Sequence, residues 1–140
     1  MIETQLGWYS EKLNLLVSKD YESYTFGFTQ VGYQKFVYPV VEEELRKDGW
    51  RFPTFKEIKE ITFDNLFSDS RANVRQFYAI KGHSNPKSKF FIIHTRRISI
   101  GFEEKVVFLD PLVDQTYVKV LGVRTISEKE KHVIQFLPVL

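Results

Sequence analysis

The chain has 140 residues, of which 43% are hydrophobic and 27% charged, and this is the composition of one globular domain spanning residues 1–140. Aromatic residues make up 16% of it, which excludes a disordered coil, and the lack of cysteine excludes disulfides, thiol nucleophiles and iron–sulfur clusters. Residues Met1 to Gln5 lack the features of a signal peptide, and no apolar run approaches the ~20 residues that cross a membrane. We therefore expect a cytoplasmic protein without a membrane segment.

The net charge of +2 conceals an uneven distribution of charge along the chain. The basic stretch from Ser70 to Phe102 contains seven Lys or Arg residues and no Asp or Glu, which leaves 13 basic and 18 acidic residues elsewhere, a net charge of −5. Such a stretch raises the local concentration of an anionic partner. The alternative is a pair of neighbouring strands whose charged side chains are simply solvated, close in the fold to the acidic residues Glu42 to Glu44.

The first third of the chain predicts strands. Gln5 to Val17 has both helical and alternating apolar spacing and is left open, with a preference for strand. Tyr21 to Val31 alternates clearly, because Tyr24, Phe26 and Phe28 share one face, and this period of two is typical of a half-buried strand.

Two short helices follow. Pro39 suits a first helical turn and Gly49 suits a helix end, which predicts a helix over residues 39–48. The acidic residues Glu42 to Glu44 are expected near its N-terminus, where the helix dipole favours negative charge.

The second helix is predicted over residues 54–62. Thr54 and Glu57 have the spacing of a capping box, in which each side chain accepts a hydrogen bond from the other residue's backbone N–H. Ile58 and Ile61 are expected on its buried face.

The remainder of the chain is rich in β-branched and aromatic residues and predicts strands only. The predicted strands are Val74–Lys81, Lys89–Thr95, Arg97–Phe102, Lys105–Leu109, Thr116–Val123 and His132–Val139. Two helices followed by strands predict an α+β domain with a largely antiparallel sheet.

The segment Leu45 to Ile58 carries Gly49-Trp50-Arg51-Phe52-Pro53-Thr54 between its two helices. It resembles the Gly-Trp-Arg-Leu-Pro-Thr segment of bacterial and phage domains with a C-type-lectin-like fold, with Phe52 in place of Leu. The resemblance covers roughly residues 31–124, although the Trp-Ser-Ser strand of that family is missing. It implies a scaffold that displays variable loops for binding, without calcium, since the calcium-binding loop and strand motifs of such lectins are absent.

Enzymatic motifs are missing from the chain. It has no phosphate-binding Gly-rich loop, no dinucleotide fingerprint, no Gly-x-Ser-x-Gly and no His-Glu-x-x-His. Of the three histidines, His83 in a turn-prone segment is the best candidate for a ligand contact, His94 ends a predicted strand, and His132 is expected at the surface. Asp110 and Asp114 flank Pro111 and would hold a cation together with Asp64 or Asp69 if the fold brought these residues close to each other. No catalytic residue, cofactor or metal is predicted.

The preferred interpretation is a non-enzymatic binding protein that contacts an acidic protein surface or another polyanion, for example a phage- or mobile-element-encoded inhibitor of a host protein. A second interpretation is a protein that binds single-stranded DNA or RNA, because aromatic residues that could stack on bases lie within the basic stretch: Phe77, Tyr78, Phe90, Phe91 and Phe102. A third is a small hydrolase that uses His83 or His94. The predicted partner-binding residues are Arg75, Lys81, His83, Lys87, Lys89, Arg96 and Arg97.

Overall fold

The computed structural model describes residues 2–19, 21–65, 75–83, 88–95 and 102–136. Within these ranges the chain forms three helices and two sheets of mostly antiparallel strands, which confirms the α+β prediction. The helices are α1 (Tyr38–Lys47), α2 (Phe55–Asn65) and α3 (Glu128–Phe136). The strands are β1 (Ile2–Glu3), β2 (Trp8–Ser10), β3 (Leu15–Val17), β4 (Glu22–Phe26), β5 (Gln34–Lys35), β6 (Arg75–His83), β7 (Ser88–Thr95), β8 (Phe102–Leu109), β9 (Thr116–Val120) and β10 (Val123–Thr125).

Helix α1 confirms the first predicted helix, but its acidic residues are not where they were expected. The helix begins at Tyr38, so that Pro39 lies in its first turn and no acidic residue does. Glu42 to Glu44 instead occupy the middle of the helix, and the prediction that they complement the positive end of its dipole is wrong. Glu44 consequently lies in the half of the helix that leads to its negative end.

Helix α2 begins with the predicted capping box. The Glu57 backbone N–H donates to Thr54 Oγ1 at 3.2 Å, and the Thr54 backbone N–H donates to Glu57 Oε1 at 2.9 Å. The helix continues three residues beyond the predicted end at residue 62, as far as Asn65.

The segment Gln5 to Val17, whose sequence allows either helix or strand, forms a hairpin. Strands β2 and β3 pair antiparallel, with Asn14 at φ +52° in the turn between them, so the preference for strand over helix is confirmed. Together with β1 and β10 they form a four-stranded sheet in the order β1-β2-β3-β10. The second sheet has six strands in the order β5-β4-β9-β6-β7-β8 and contains two parallel pairs, β4 with β5 and β6 with β9.

Three strand predictions need correction, two of them between residues 103 and 123 and one at the end of the chain. The strand predicted over 116–123 is two strands, since β9 ends at Val120 and β10 joins the other sheet. The break predicted at Glu103-Glu104 lies inside β8, where the two residues pair with β7. Most of the strand predicted over Arg97–Phe102 lies outside the described residues, and Phe102 is the first residue of β8.

The third correction concerns the end of the chain, where residues 128–136 form α3 instead of the strand predicted from residue 132. Ser127 and Glu130 make a second capping box: the Glu130 backbone N–H donates to Ser127 Oγ at 3.2 Å, and the Ser127 N–H donates to Glu130 Oε1 at 3.3 Å. Ile134 then packs into a cluster with Tyr9 and Leu16. Helix capping and burial of one face therefore outweigh the β-propensity of the segment.

Strand β6 lies near the centre of the six-stranded sheet and is covered on both faces. Phe77 and Ala79 belong to a core cluster on the α1 side, while Tyr78 and Ile80 pack with Ile58 of α2 on the other side. A strand with four consecutive buried residues is buried on both faces, as its continuous apolar sequence indicates.

Candidate functional site

The structure places the predicted partner-binding residues on two neighbouring strands where it describes them. Arg75 is the first residue of β6 and pairs with His94 of β7. His83, the last residue of β6, pairs with Ser88 at the other end of the strand pair, where Lys81 and Lys89 also lie. The described part of the basic stretch thus divides between the two ends of one antiparallel pair.

Side-chain positions are described for only one of these seven residues. Lys81 is exposed, and its backbone N–H donates to the carbonyl oxygen of Pro53 at 2.7 Å. The side chains of Arg75, His83 and Lys89 lie outside the described part of the structure. Lys87, Arg96 and Arg97 lie outside the described residues altogether.

The aromatic residues of the basic stretch do not provide the stacking surface that the nucleic-acid interpretation assumed, as far as they are described. Phe77 and Tyr78 are buried, and burial raises the pKa of the Tyr78 hydroxyl above its ordinary value. The side chains of Phe90, Phe91 and Phe102 are not among those described. Two of the five rings that were expected to stack on bases are therefore buried and cannot do so.

A different set of rings is exposed on β9 and on the segment that links β4 to β5. Tyr117 lies 5.5 Å from Phe28 and 5.2 Å from Tyr33 between ring centroids, each in an edge-to-face arrangement, and both tyrosines are about half exposed. On the same face of β9 the Lys119 ammonium lies 4.5 Å from the centroid of the exposed Tyr21 ring. Strand β9 is the direct neighbour of β6, so this aromatic cluster (Phe28, Tyr33 and Tyr117) adjoins the strand on which the described basic stretch begins.

The opposite, α1-facing side of the sheet contains a cleft of about 230 Å³. Its floor is apolar and its rim is acidic, and among the described residues none that lines it is Lys, Arg or His. The lining residues are Ser18, Glu22, Tyr24, Val41, Glu44, Leu45, Asp48, Trp50, Val120 and Gly122.

Helix α1 supplies one wall of this cleft through a single stripe of residues. Val41, Glu44, Leu45 and Asp48 recur at intervals of three and four, which places them on one helical face. Val41 is buried in the core cluster, whereas Glu44 and Asp48 are exposed. The stripe thus passes from an apolar floor to an acidic rim.

Strand β4 supplies the third carboxylate. The buried Tyr24 hydroxyl donates to Glu22 Oε2 at 2.7 Å, which holds that carboxylate in place. Burial, the hydrogen bond to Glu22 and the charges of Glu22 and Glu44 raise the pKa of Tyr24 well above its ordinary value. Tyr24 therefore remains a neutral donor throughout the ordinary pH range.

The turn after α1 positions Trp50 in the wall of the cleft. Gly49 adopts φ +81°, its N–H donates to the Arg46 carbonyl at 3.0 Å, and the Trp50 N–H donates to the Leu45 carbonyl at 2.9 Å. This pair of bonds is the Schellman motif, which terminates a helix at a glycine. Gly122 lies in the link between β9 and β10, and a Cβ atom there would come within 3.0 Å of Trp50 Cβ, so a larger residue would require the Trp50 side chain to shift.

Arg51 and Glu57 fix the segment that follows Trp50. Arg51 Nη1 and Nη2 donate to Glu57 Oε1 and Oε2 at 2.8 and 2.9 Å, a bidentate ion pair. These hydrogen bonds hold the pKa of the Glu57 carboxyl below its ordinary value. The residue that caps α2 is therefore also the anchor for the chain leaving α1.

The remaining candidates from the sequence do not form a site among the described residues. Asp114 Oδ2 accepts a hydrogen bond from the Asp110 N–H at 2.7 Å, so the pair closes a turn. Within the described ranges no group of three or more His, Asp or Glu residues is arranged to hold a metal ion. His132 is exposed on α3, as predicted, and none of the described residues that line the cleft is a histidine.

Comparison with known proteins returns no match: no family model, no curated protein and no solved structure is similar to this chain. The C-type-lectin-like resemblance of residues 45–58 therefore stays a prediction. None of the described helices is both long and apolar enough to cross a lipid bilayer.

Proposed function

We propose that this chain is a non-enzymatic binding protein whose basic stretch contacts an acidic protein surface or another polyanion. The proposal rests on one observation, the concentration of seven basic residues and no acidic residue between Ser70 and Phe102. Strands β6 and β7 belong to this stretch and are hydrogen-bonded neighbours, so Arg75, Lys81 and Lys89 all lie on one strand pair. An inhibitor of a host protein is one form that such a function takes.

The positions of the acidic groups also support the proposal. Glu22, Glu44 and Asp48 gather at the cleft on the α1 side of the six-stranded sheet. Separation of the two signs along the chain favours one orientation of an anionic partner and disfavours others, since like charges repel it from the cleft.

Two variants with the same net charge test the proposal. In the first, Arg75, Lys89, Arg96 and Arg97 are replaced by Gln, and in the second Lys35, Lys47, Lys56 and Lys129 are replaced by Gln. Each substitution set changes the net charge from +2 to −2. The four control lysines are exposed residues outside the basic stretch.

The measurement is the anisotropy of a fluorescent 20-residue polyglutamate peptide titrated with each protein. The first variant is expected to bind about tenfold more weakly than the original chain, since each exposed charge pair is worth up to ~1 kcal/mol, and the control variant is expected to bind nearly as well as the original. Equal weakening in both variants would show that only overall charge matters and would remove the proposal.

A second candidate function is binding of single-stranded nucleic acid, favoured by the exposed aromatic cluster beside Lys119. Stacking of bases on such rings contributes ~1–3 kcal/mol per base and tolerates any sequence. The cluster differs from the rings that the sequence suggested, because Tyr33 and Tyr117 are exposed whereas Phe77 and Tyr78 are buried.

Replacing Tyr117 by Leu separates this candidate from the first. The variant keeps an apolar side chain and the charge of the protein while removing the central ring of the cluster. If nucleic acid is the partner, affinity for an oligo-dT probe falls at least fivefold while the affinity for polyglutamate is unchanged, and neutralising Arg96 and Arg97 lowers the salt dependence by about 1.4 in the logarithmic slope. Unchanged affinity for oligo-dT in the Tyr117→Leu variant would exclude the stacking surface.

A further inference from the structure

The acidic cleft has the features of a small ligand site, independent of the basic stretch. We propose that it binds a primary alkylammonium group, with the alkyl stem on the apolar floor and the ammonium among the carboxylates of Glu22, Glu44 and Asp48. A cavity of about 230 Å³ is smaller than the ~300 Å³ from which ordinary drug-sized pockets begin, so it suits one short chain.

The cleft has two chemical parts, an apolar floor and an acidic rim. Val41 and Val120 are buried at its floor, and Leu45 and Trp50 are half-buried in its wall. A purely polar cation would leave this apolar surface unused, whereas an ammonium on a hydrocarbon stem covers it and gains hydrophobic stabilisation.

The charge of the cleft favours a cation. Three carboxylates face the cavity with no basic side chain among the described lining residues, and the described ion pairs of α1 join Arg46 to Glu42 and Glu43, on the part of the helix that does not line the cleft. The negative end of the α1 dipole adds to this potential, since Glu44, Leu45 and Asp48 belong to the last turn and the C-cap.

One carboxylate is already fixed before any ligand arrives. The hydroxyl of the buried Tyr24 stays protonated and donates to Glu22 Oε2, leaving Oε1 of the same carboxylate to accept a hydrogen bond from an ammonium. A group held in this way does not lose side-chain freedom on binding, which improves affinity for a small ligand.

The spacing of the carboxylates favours an ammonium over a metal ion. Among the described residues no three carboxylates lie close enough together to hold a metal. Three carboxylates spread around a cavity suit an ammonium, which has three donors and can reach several acceptors in turn.

The test uses the intact chain and 1,5-diaminopentane as the probe. The chain has two tryptophans, of which Trp50 lines the cleft and Trp8 packs in a separate cluster. Their indole N–H signals in a ¹⁵N–¹H spectrum therefore provide a reporter and an internal control. On titration with the diamine, we expect the Trp50 signal to shift to saturation and the Trp8 signal to stay in place. 1-Pentanol has the alkyl stem without the charge, and we expect it to shift neither signal.

Matched variants on one helix decide whether the rim carboxylates are responsible. Replacement of Glu44 by Gln and Asp48 by Asn removes two charges from the rim, and replacement of Glu42 and Glu43 by Gln removes two charges from the rest of α1. The first variant is expected to bind the diamine about tenfold more weakly and the second to bind it as the original does. Equal weakening in both, or a saturable Trp50 shift with pentanol, would overturn the proposal.

The ammonium can come from a free amine or from a lysine side chain of a partner protein, and a second probe separates them. Nα-acetyl-lysine N-methylamide carries the side chain without a free α-amine. Saturable binding of both probes assigns the cleft to a partner's lysine, binding of the diamine alone assigns it to a free amine, and binding of neither overturns the proposal. Since the rim variant keeps the basic stretch, its affinity for polyglutamate reports separately on the function proposed above.

Discussion

The bidentate pair between Arg51 and Glu57 offers the sharpest test of how the Trp50 segment is held. In the variant Glu57→Gln the amide still caps α2, but the charge that Arg51 contacts is removed. Arg51 Nη1 retains its hydrogen bond to the Phe52 carbonyl at 3.1 Å, so the guanidinium is left with one protein partner in place of two.

The size of the effect follows from the exposure of the two side chains. A hydrogen bond to a charged group contributes ~1.5–3 kcal/mol when buried, whereas an exposed ion pair contributes ~0.2–1 kcal/mol. The Arg51 side chain is 39% exposed and that of Glu57 16% exposed. The pair lies between these limits, and after allowance for solvent screening we expect a loss of about 1.5 kcal/mol in the free energy of unfolding.

The sign of the pH dependence is also determined. The hydrogen bonds from Arg51 lower the pKa of Glu57 in the folded protein relative to its unfolded value of about 4.3. This stabilisation is complete above the unfolded pKa and is lost as the pH falls through the lower folded pKa. The difference in stability between the original chain and Glu57→Gln is therefore largest at pH 7 and shrinks as the pH falls from about 4.3 toward the folded pKa.

Urea unfolding followed by tryptophan fluorescence at pH 7 and pH 3 measures both quantities, and a double-mutant cycle with Arg51→Met isolates the pair. We expect a coupling energy of about 1 kcal/mol at pH 7. A coupling below ~0.3 kcal/mol, or a stability difference that is the same at both pH values, would refute the assignment of the pair as an anchor.

Three further substitutions probe the fold around the site. Gly122→Ala brings a Cβ within 3.0 Å of Trp50 Cβ, and we expect it to lower the free energy of unfolding by about 1–3 kcal/mol and to change the fluorescence of Trp50. A melting temperature equal to that of the original chain would contradict this expectation. Ile58→Ala opens a cavity at a fully buried position and is expected to cost about 2–5 kcal/mol in urea unfolding, a loss under 1 kcal/mol being inconsistent with its burial. Ser127→Ala removes the hydroxyl that accepts a hydrogen bond from the Glu130 N–H, and we expect it to lower the free energy of unfolding by about 1 kcal/mol and to weaken the helical circular dichroism signal. If neither quantity changes, the prediction is wrong.

The parts of the fold that could be predicted are those encoded by neighbouring residues. The capping box of Thr54 and Glu57, and the glycine that ends α1, depend on contacts within a few residues and were correctly predicted. The same local contacts encode α3, because Ser127 and Glu130 have the spacing of a capping box, but the β-branched and aromatic residues that follow them favour a strand.

The cleft could be predicted only in part. The stripe of Val41, Glu44, Leu45 and Asp48 on α1 is visible as a helical period in the sequence. That Tyr24 and Glu22 stand opposite it depends on the pairing of β4 with β9, a contact between residues about 95 positions apart that no local pattern encodes. The exposure of Tyr117 could not be predicted either, because an alternating strand does not reveal which of its faces is covered.

A pull-down from a lysate of the native host tests most directly the claim that the basic stretch binds an anionic macromolecule. The bait is the original chain, the variant with Arg75, Lys89, Arg96 and Arg97 replaced by Gln, or the control with four other lysines replaced, each with and without nuclease. We predict that the original chain and the control retain the same acidic protein after nuclease treatment and that the basic-stretch variant loses it. Identical capture by all three baits would contradict the claim. If nuclease abolishes the capture, the partner of the basic stretch is nucleic acid and not an acidic protein.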